Sequence, residues 1–77
     1  MNRERRKKLQ GIADQLEEMK SSLEDLLSEE EGYRDSIPEN MQRSERYEKA
    51  EEACDGISMA IDSLEDAIDN IGGAIEG

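Results

Sequence analysis

The second half of the chain places an apolar residue at every third or fourth position. Four consecutive heptads begin with alanine, and the apolar positions keep one alternating spacing throughout. Because this spacing puts side chains on one face of an α-helix, it predicts an amphipathic helix over about 44–74. Ser44 suits the N-cap of this helix, and Glu45 in its first turn suits the helix dipole. The apolar positions are Tyr47, Ala50, Cys54, Ile57, Ile61, Leu64, Ile68, Ile71 and Ile75.

The first half of the chain carries the same spacing and predicts another helix over about 2–35. Pro38 ends the pattern, because its ring removes a backbone donor and biases the preceding residue away from helical geometry. The connection is therefore predicted at about 36–43. The seam positions of helix one are Leu9, Ile12, Leu16, Met19, Leu23, Leu26, Glu30, Tyr33 and Ile37, all apolar except Glu30.

Two helices of similar length joined by a short polar segment favour an antiparallel hairpin. The predicted fold class is all-α, a single coiled-coil-like helical-hairpin domain over 1–77. A register in which opposed residue numbers add to 80 gives the apolar seam residues of helix one apolar partners, for example Leu23 with Ile57. The same register lays the basic N-terminus beside the acidic end of helix two, with Arg5, Arg6 and Lys8 near Asp69 and Glu76.

A second apolar stripe flanks the predicted seam of helix two, with one alanine in each heptad. Small side chains allow another helix to approach closely, and Leu27 together with Ala13 widens the apolar face of helix one. We expect this surface to pair two hairpins into a homodimeric four-helix bundle, or to dock on a different protein. The alternative is that alanine is only a good helix former at a boundary position. The stripe consists of Ala53, Ala60, Ala67 and Ala74.

Charge is distributed unevenly along these 77 residues, which carry a formal net charge of −11. The basic residues Arg3, Arg5, Arg6, Lys7 and Lys8 cluster at the N-terminus, and no basic residue follows Lys49. Such a surface either keeps a small protein in solution or meets a basic partner in place of nucleic acid. The outer acidic residues of helix two, the candidates for that contact, are Glu51, Asp55, Asp62, Glu65, Asp66 and Asp69.

The chain lacks the residues that several classes of chemistry require. The chain has no histidine, and its single cysteine, Cys54, lies on the predicted seam without an activating partner. The acidic runs lack the spacing of a calcium loop, and no glycine-rich phosphate loop is present. We therefore expect no enzymatic activity, no cofactor and no metal site. With no apolar run long enough to span a bilayer, no signal peptide and no disulfide, the expected compartment is the bacterial cytoplasm.

Three segments of the sequence carry a resemblance: the N-terminal Met1–Leu9, the connection Ile37–Gln42 with the following Ser44–Tyr47, and the Ala-Ile-Asp heptads. They resemble small acidic helical accessory proteins encoded by phages, prophages and other mobile elements of Firmicutes, of the anti-defence and anti-CRISPR type. What the resemblance implies is a virus-encoded protein that blocks host defence by binding one component stoichiometrically.

Two function classes follow from these observations. The first is a non-enzymatic protein-binding module, a phage-encoded inhibitor of a host defence or nucleic-acid-handling complex that acts through an acidic or apolar helical face. The alternative is a structural protein, a self-associating bundle that serves as a phage scaffold or oligomerisation adaptor. Direct binding of nucleic acid through residues 3–8 is the weaker reading, because the net charge of −11 opposes it.

Overall fold

The computed structural model describes all 77 residues and contains helices only. Helix α1 spans Arg3–Asp35, a short 3₁₀ turn spans Glu39–Met41, and helix α2 spans Glu45–Glu76. The two long helices pack side by side along their length in a body of 59 × 15 × 13 Å. The predicted all-α hairpin is confirmed.

Local side-chain hydrogen bonds account for where each helix begins. The Asn2 side chain accepts a hydrogen bond from the Arg5 backbone N–H at 2.8 Å, which caps α1. Ser44 caps α2 in the predicted way, since its hydroxyl oxygen accepts from the Tyr47 N–H at 3.3 Å. Ile37, at the turn before Pro38, is buried and closes the loop end of the hairpin.

The seam predicted for helix one is wrong at every second position. Ile12, Met19, Leu26 and Tyr33 are between 41% and 57% exposed. The residue that follows each of them is buried or half-buried instead, so that α1 is rotated by roughly 60° from the predicted orientation. The positions that replace them in the seam are Ala13, Lys20, Leu27 and Arg34.

Two of the residues in the seam, Lys20 and Arg34, are basic, and their charged groups lie at the edge of the seam. The Lys20 side chain is only 22% exposed, and its ammonium lies 3.7 Å from Glu17 and 3.6 Å from Glu65. Arg34 is similarly shielded, and its guanidinium contacts Asp35 at 3.1 Å. Because long basic side chains can bury an aliphatic stem and leave the head in water, these two positions pack without burying a charge.

The side-chain contacts between the helices lie on both sides of the predicted register. Arg46 contacts Tyr33, and these two numbers add to 79, while Lys20 contacts Glu65, and these two add to 85.

The basic N-terminus forms no ion pair with α2. Arg3, Arg5, Arg6 and Lys7 make no ion pair within 4.0 Å, and Lys8 contacts Glu4 of its own helix at 3.7 Å. The first turns of α1 are basic and exposed to solvent.

The core is thin, because a pair of helices encloses little volume. Only five residues are buried: Ala13, Ile37, Ala50, Cys54 and Ile61. The remaining apolar seam residues of both helices are half-buried, as expected where only one helix covers each of them. The hairpin thus uses one apolar stripe of each helix and leaves further apolar surface in water.

Candidate functional site

The apolar side chains that the seam does not use lie together on one side of the hairpin. On α1 they are spaced by seven residues, as are the alanines of α2. The Arg46 Nε donates a hydrogen bond to the Tyr33 hydroxyl, and the guanidinium lies 5.2 Å from the centroid of that ring. Because Arg46 is one heptad before Ala53, this contact puts both stripes on the same side. We call this the apolar face: Ile12, Met19, Leu26, Tyr33, Ala53, Ala60, Ala67 and Ala74.

Exposure differs between the two stripes of the apolar face. The large side chains of α1 are exposed, with Met19 at 57% and Leu26 at 52%. Three of the four alanines are half-buried, and Ala74 is exposed. Leu27, predicted to flank the seam and to join a partner-binding surface, is instead half-buried at a position facing α2, so that prediction is corrected. A helical step of 100° separates it from Leu26 and explains the exchange.

The border of the apolar face is polar but almost free of carboxylates. The helical positions next to its stripes carry Gln15 and Ser22 on α1. The equivalent positions on α2 carry Gly56, Ser63 and Asn70. Glu29 is the one carboxylate at such a position between Ile12 and Ala74. An apolar centre with an uncharged border is the composition of a protein interface.

Carboxylates occupy the other side of the hairpin. Lys20 contacts both Glu17 of α1 and Glu65 of α2, which places these two residues together on the side opposite the apolar face. All five residues of the outer row of α2 are acidic and exposed, with about 10.5 Å of helix between neighbours. We call this row, with Glu51 and Glu65 beside it, the acidic face. The row is Glu48, Asp55, Asp62, Asp69 and Glu76.

The predicted partner-binding residues therefore divide into two sets that face apart. The alanines lie on the apolar face, and Glu51, Asp55, Asp62, Glu65 and Asp69 lie on the acidic face. Asp66 is exposed on the outer surface of α2, beyond the acidic face. The sequence interpretation missed the four exposed side chains of α1, because it assigned them to the seam. Adjacent apolar residues such as Leu26-Leu27 were the available sign that helix one has two apolar stripes.

The surface contains no enclosed binding cavity. Its one depression is shallow and is lined by Glu17, Lys20, Glu65, Ile68 and Asp69, with the lysine already bonded to two of the carboxylates. No group of three or more His, Cys, Asp or Glu side chains is arranged to hold a metal ion. The surfaces available for recognition are therefore the two faces of the hairpin.

Cys54 is buried in the seam, and its reactivity provides a test of how tightly the seam is packed. Burial raises the pKa of the Cys54 thiol, while the nearby Arg34 acts in the opposite direction. We expect the native protein to react with a maleimide much more slowly at pH 8 than the protein in denaturant. Because the folded-state pKa is raised, the thiol should not alter stability below about pH 8.5 and should lower it above that pH. Labelling followed by mass spectrometry measures the rate, and native labelling as fast as in denaturant would contradict a closed seam.

Comparisons with known proteins give no assignment: no family model, no curated protein and no solved structure matches the chain. Neither helix is long and apolar enough to cross a membrane. Proposals about function therefore depend on the two faces of the hairpin.

Proposed function

We propose that this protein is a non-enzymatic binding module, encoded by a phage or mobile element, that inhibits a host defence or nucleic-acid-handling complex. Its acidic face would bind a basic surface of one component and exclude DNA or RNA from that surface by charge. The observation that carries the proposal is the segregation of charge, because the carboxylates of α2 form a continuous row and no basic residue follows Lys49.

The physical basis is electrostatic complementarity. A row of carboxylates about 10.5 Å apart would face the basic side chains of a surface that binds a nucleic-acid backbone, and its field would steer association with that surface. The Debye length is about 8 Å at physiological salt, so surface charges act mainly on groups close to them. Binding should therefore weaken steeply as salt is added.

Capture from a bacterial host lysate tests this proposal. The baits are the native chain, an acidic-face variant with Asp55→Asn and Asp62→Asn, and an apolar-face variant with Ala60→Glu and Ala67→Glu. We expect the native chain to retain a basic protein that added salt elutes. The acidic-face variant should lose most of that protein, and the apolar-face variant should retain it.

A matched control separates position from total charge. Glu18→Gln with Asp25→Asn removes two exposed charges from the outer side of α1, so this bait has the same net charge as the acidic-face variant. The control bait should retain the protein. Equal loss from both neutralised baits, or capture that survives high salt, would argue against recognition by the acidic face.

A structural or assembly role, with the hairpin as a phage scaffold or oligomerisation adaptor, is the second candidate function. The large apolar side chains left in water on α1 favour it, since exposed apolar residues in a row are typical of an association surface. It requires self-association into a four-helix bundle. A chain that remains monomeric by light scattering at micromolar concentration would exclude it.

A further inference from the structure

We infer that the apolar face binds a second copy of this chain, with the large side chains of α1 in each copy packed on the alanine stripe of α2 in the other. The product is a two-fold symmetric four-helix bundle. This inference specifies the contact that the second candidate function requires, and it does not depend on what the acidic face binds.

The hairpin leaves large apolar side chains of α1 outside its seam. At two pairs of adjacent positions on α1, the seam covers the smaller or charged residue and leaves the larger apolar one exposed. Ala13 is buried beside an exposed Ile12, and Lys20 is shielded beside an exposed Met19. In a single hairpin these large apolar side chains remain in water, whereas in a four-helix bundle they pack into a second interface.

The two stripes of the apolar face differ in the size of their side chains. The stripe of α1 presents Ile, Met, Leu and Tyr, and the stripe of α2 presents only alanine, with the same spacing of seven residues. In a two-fold interface, each contact of one residue on another is repeated with the roles exchanged. The large side chains of α1 in each copy therefore pack on the alanines of α2 in the other copy, and this contact occurs twice in the dimer. Both stripes have the same spacing of seven residues.

Charge also favours this face as the contact between two copies. Each chain carries a net charge of −11, and contact through the acidic faces would oppose two rows of carboxylates. The apolar face has Glu29 as the one carboxylate at its border, so two copies meet there without facing carboxylate rows. Pairing through this face leaves both acidic faces exposed on the outside of the dimer.

The length of the face matches that of a second copy. The exposed stripe of α1 and the alanine stripe of α2 each extend over 21 residue steps, about 32 Å at 1.5 Å per residue. A short peptide or a single helix turn would cover only part of the exposed stripe, which runs from Ile12 to Tyr33.

Charge complementation tests both the dimer and its pairing. One variant carries Met19→Glu and Leu26→Glu, and a second carries Ala60→Lys and Ala67→Lys. The native chain should be a dimer by sedimentation equilibrium at micromolar concentration. Each variant alone should dimerise roughly a hundredfold more weakly, because unpaired charges would be buried in the contact. An equimolar mixture should recover a heterodimer, since the new carboxylates of one variant then face the new lysines of the other.

Met59→Glu is the control, because Met59 is 68% exposed on the outer surface of α2 away from the apolar face. This variant should dimerise like the native chain. Circular dichroism establishes that each variant remains helical, and a native concentration series gives a result that needs no variant. A monomeric native chain would refute the dimer, and a Met19→Glu and Leu26→Glu chain that still dimerises would refute its contact through the apolar face. Failure of the mixture to recover a heterodimer would refute the pairing of α1 on α2. None of these results bears on capture by the acidic face, so the two proposals fail separately.

Discussion

Ile61→Ala should lower the free energy of unfolding by about 3 kcal/mol, which is a large part of the stability of a chain of this size. Ile61 is 7% exposed near the middle of α2 and is the largest buried side chain of that helix. Its truncation removes apolar contact between the two helices and leaves a gap at the largest buried side chain of α2. Urea unfolding followed by circular dichroism measures the effect, at one protein concentration for all variants.

Met59→Ala is the matched control for this substitution, because it also shortens an apolar side chain of α2. Met59 is 68% exposed, and we expect its truncation to change stability by less than about 0.5 kcal/mol. Equal losses for the two variants would show that α2 does not present Ile61 to α1. A change in the slope of the urea transition would instead indicate an altered denatured state.

Ala13→Glu and Ile12→Glu should differ strongly, although the two residues are adjacent. Ala13 is buried against α2, and a carboxylate there would have to break the seam or lose its charge, at a cost of about 3 kcal/mol or more. Ile12 is 46% exposed, so the same change should cost the isolated hairpin less than about 1 kcal/mol. Thermal or urea unfolding compares the two directly.

The comparison belongs in the Met19→Glu and Leu26→Glu background, where the apolar face no longer stabilises a dimer. In the native background, loss of a dimer contact would also lower the apparent stability of the Ile12 variant by mass action. A larger loss for Ile12→Glu than for Ala13→Glu in the altered background would mean that α1 has the orientation predicted from its most apolar stripe. The observed orientation predicts the opposite order.

The two sides of this small hairpin differ in chemistry. The apolar face leaves large side chains exposed to water, the acidic face carries a row of carboxylates, and the seam between them holds the two helices together. Because the proposed dimer would cover the apolar side and leave two acidic faces outside, a dimeric inhibitor would have two sites for a basic target. Such a molecule gains avidity where a target complex offers two basic surfaces that both acidic faces can reach.

Most of the local structure could be predicted from the sequence. The spacing of Leu and Ile determined that there are two helices, Pro38 determined where the first must stop, and Ser44 determined where the second begins. The seam of helix two was also predictable, because its large apolar residues other than Met59 form a single stripe, and the flanking apolar positions are alanine. Residues such as Ile61 had no competing position on that helix.

Only the tertiary structure decided the rotation of α1 about its axis. Helix one carries two overlapping apolar stripes that share Leu9, Leu16 and Leu23, and both have the spacing of a helical seam. Spacing cannot separate two orientations that differ by roughly 60°, because the choice depends on how side chains of both helices fit together in three dimensions. Packing buried Ala13, partly covered Leu27 and left Ile12, Met19 and Leu26 exposed, which created the apolar face.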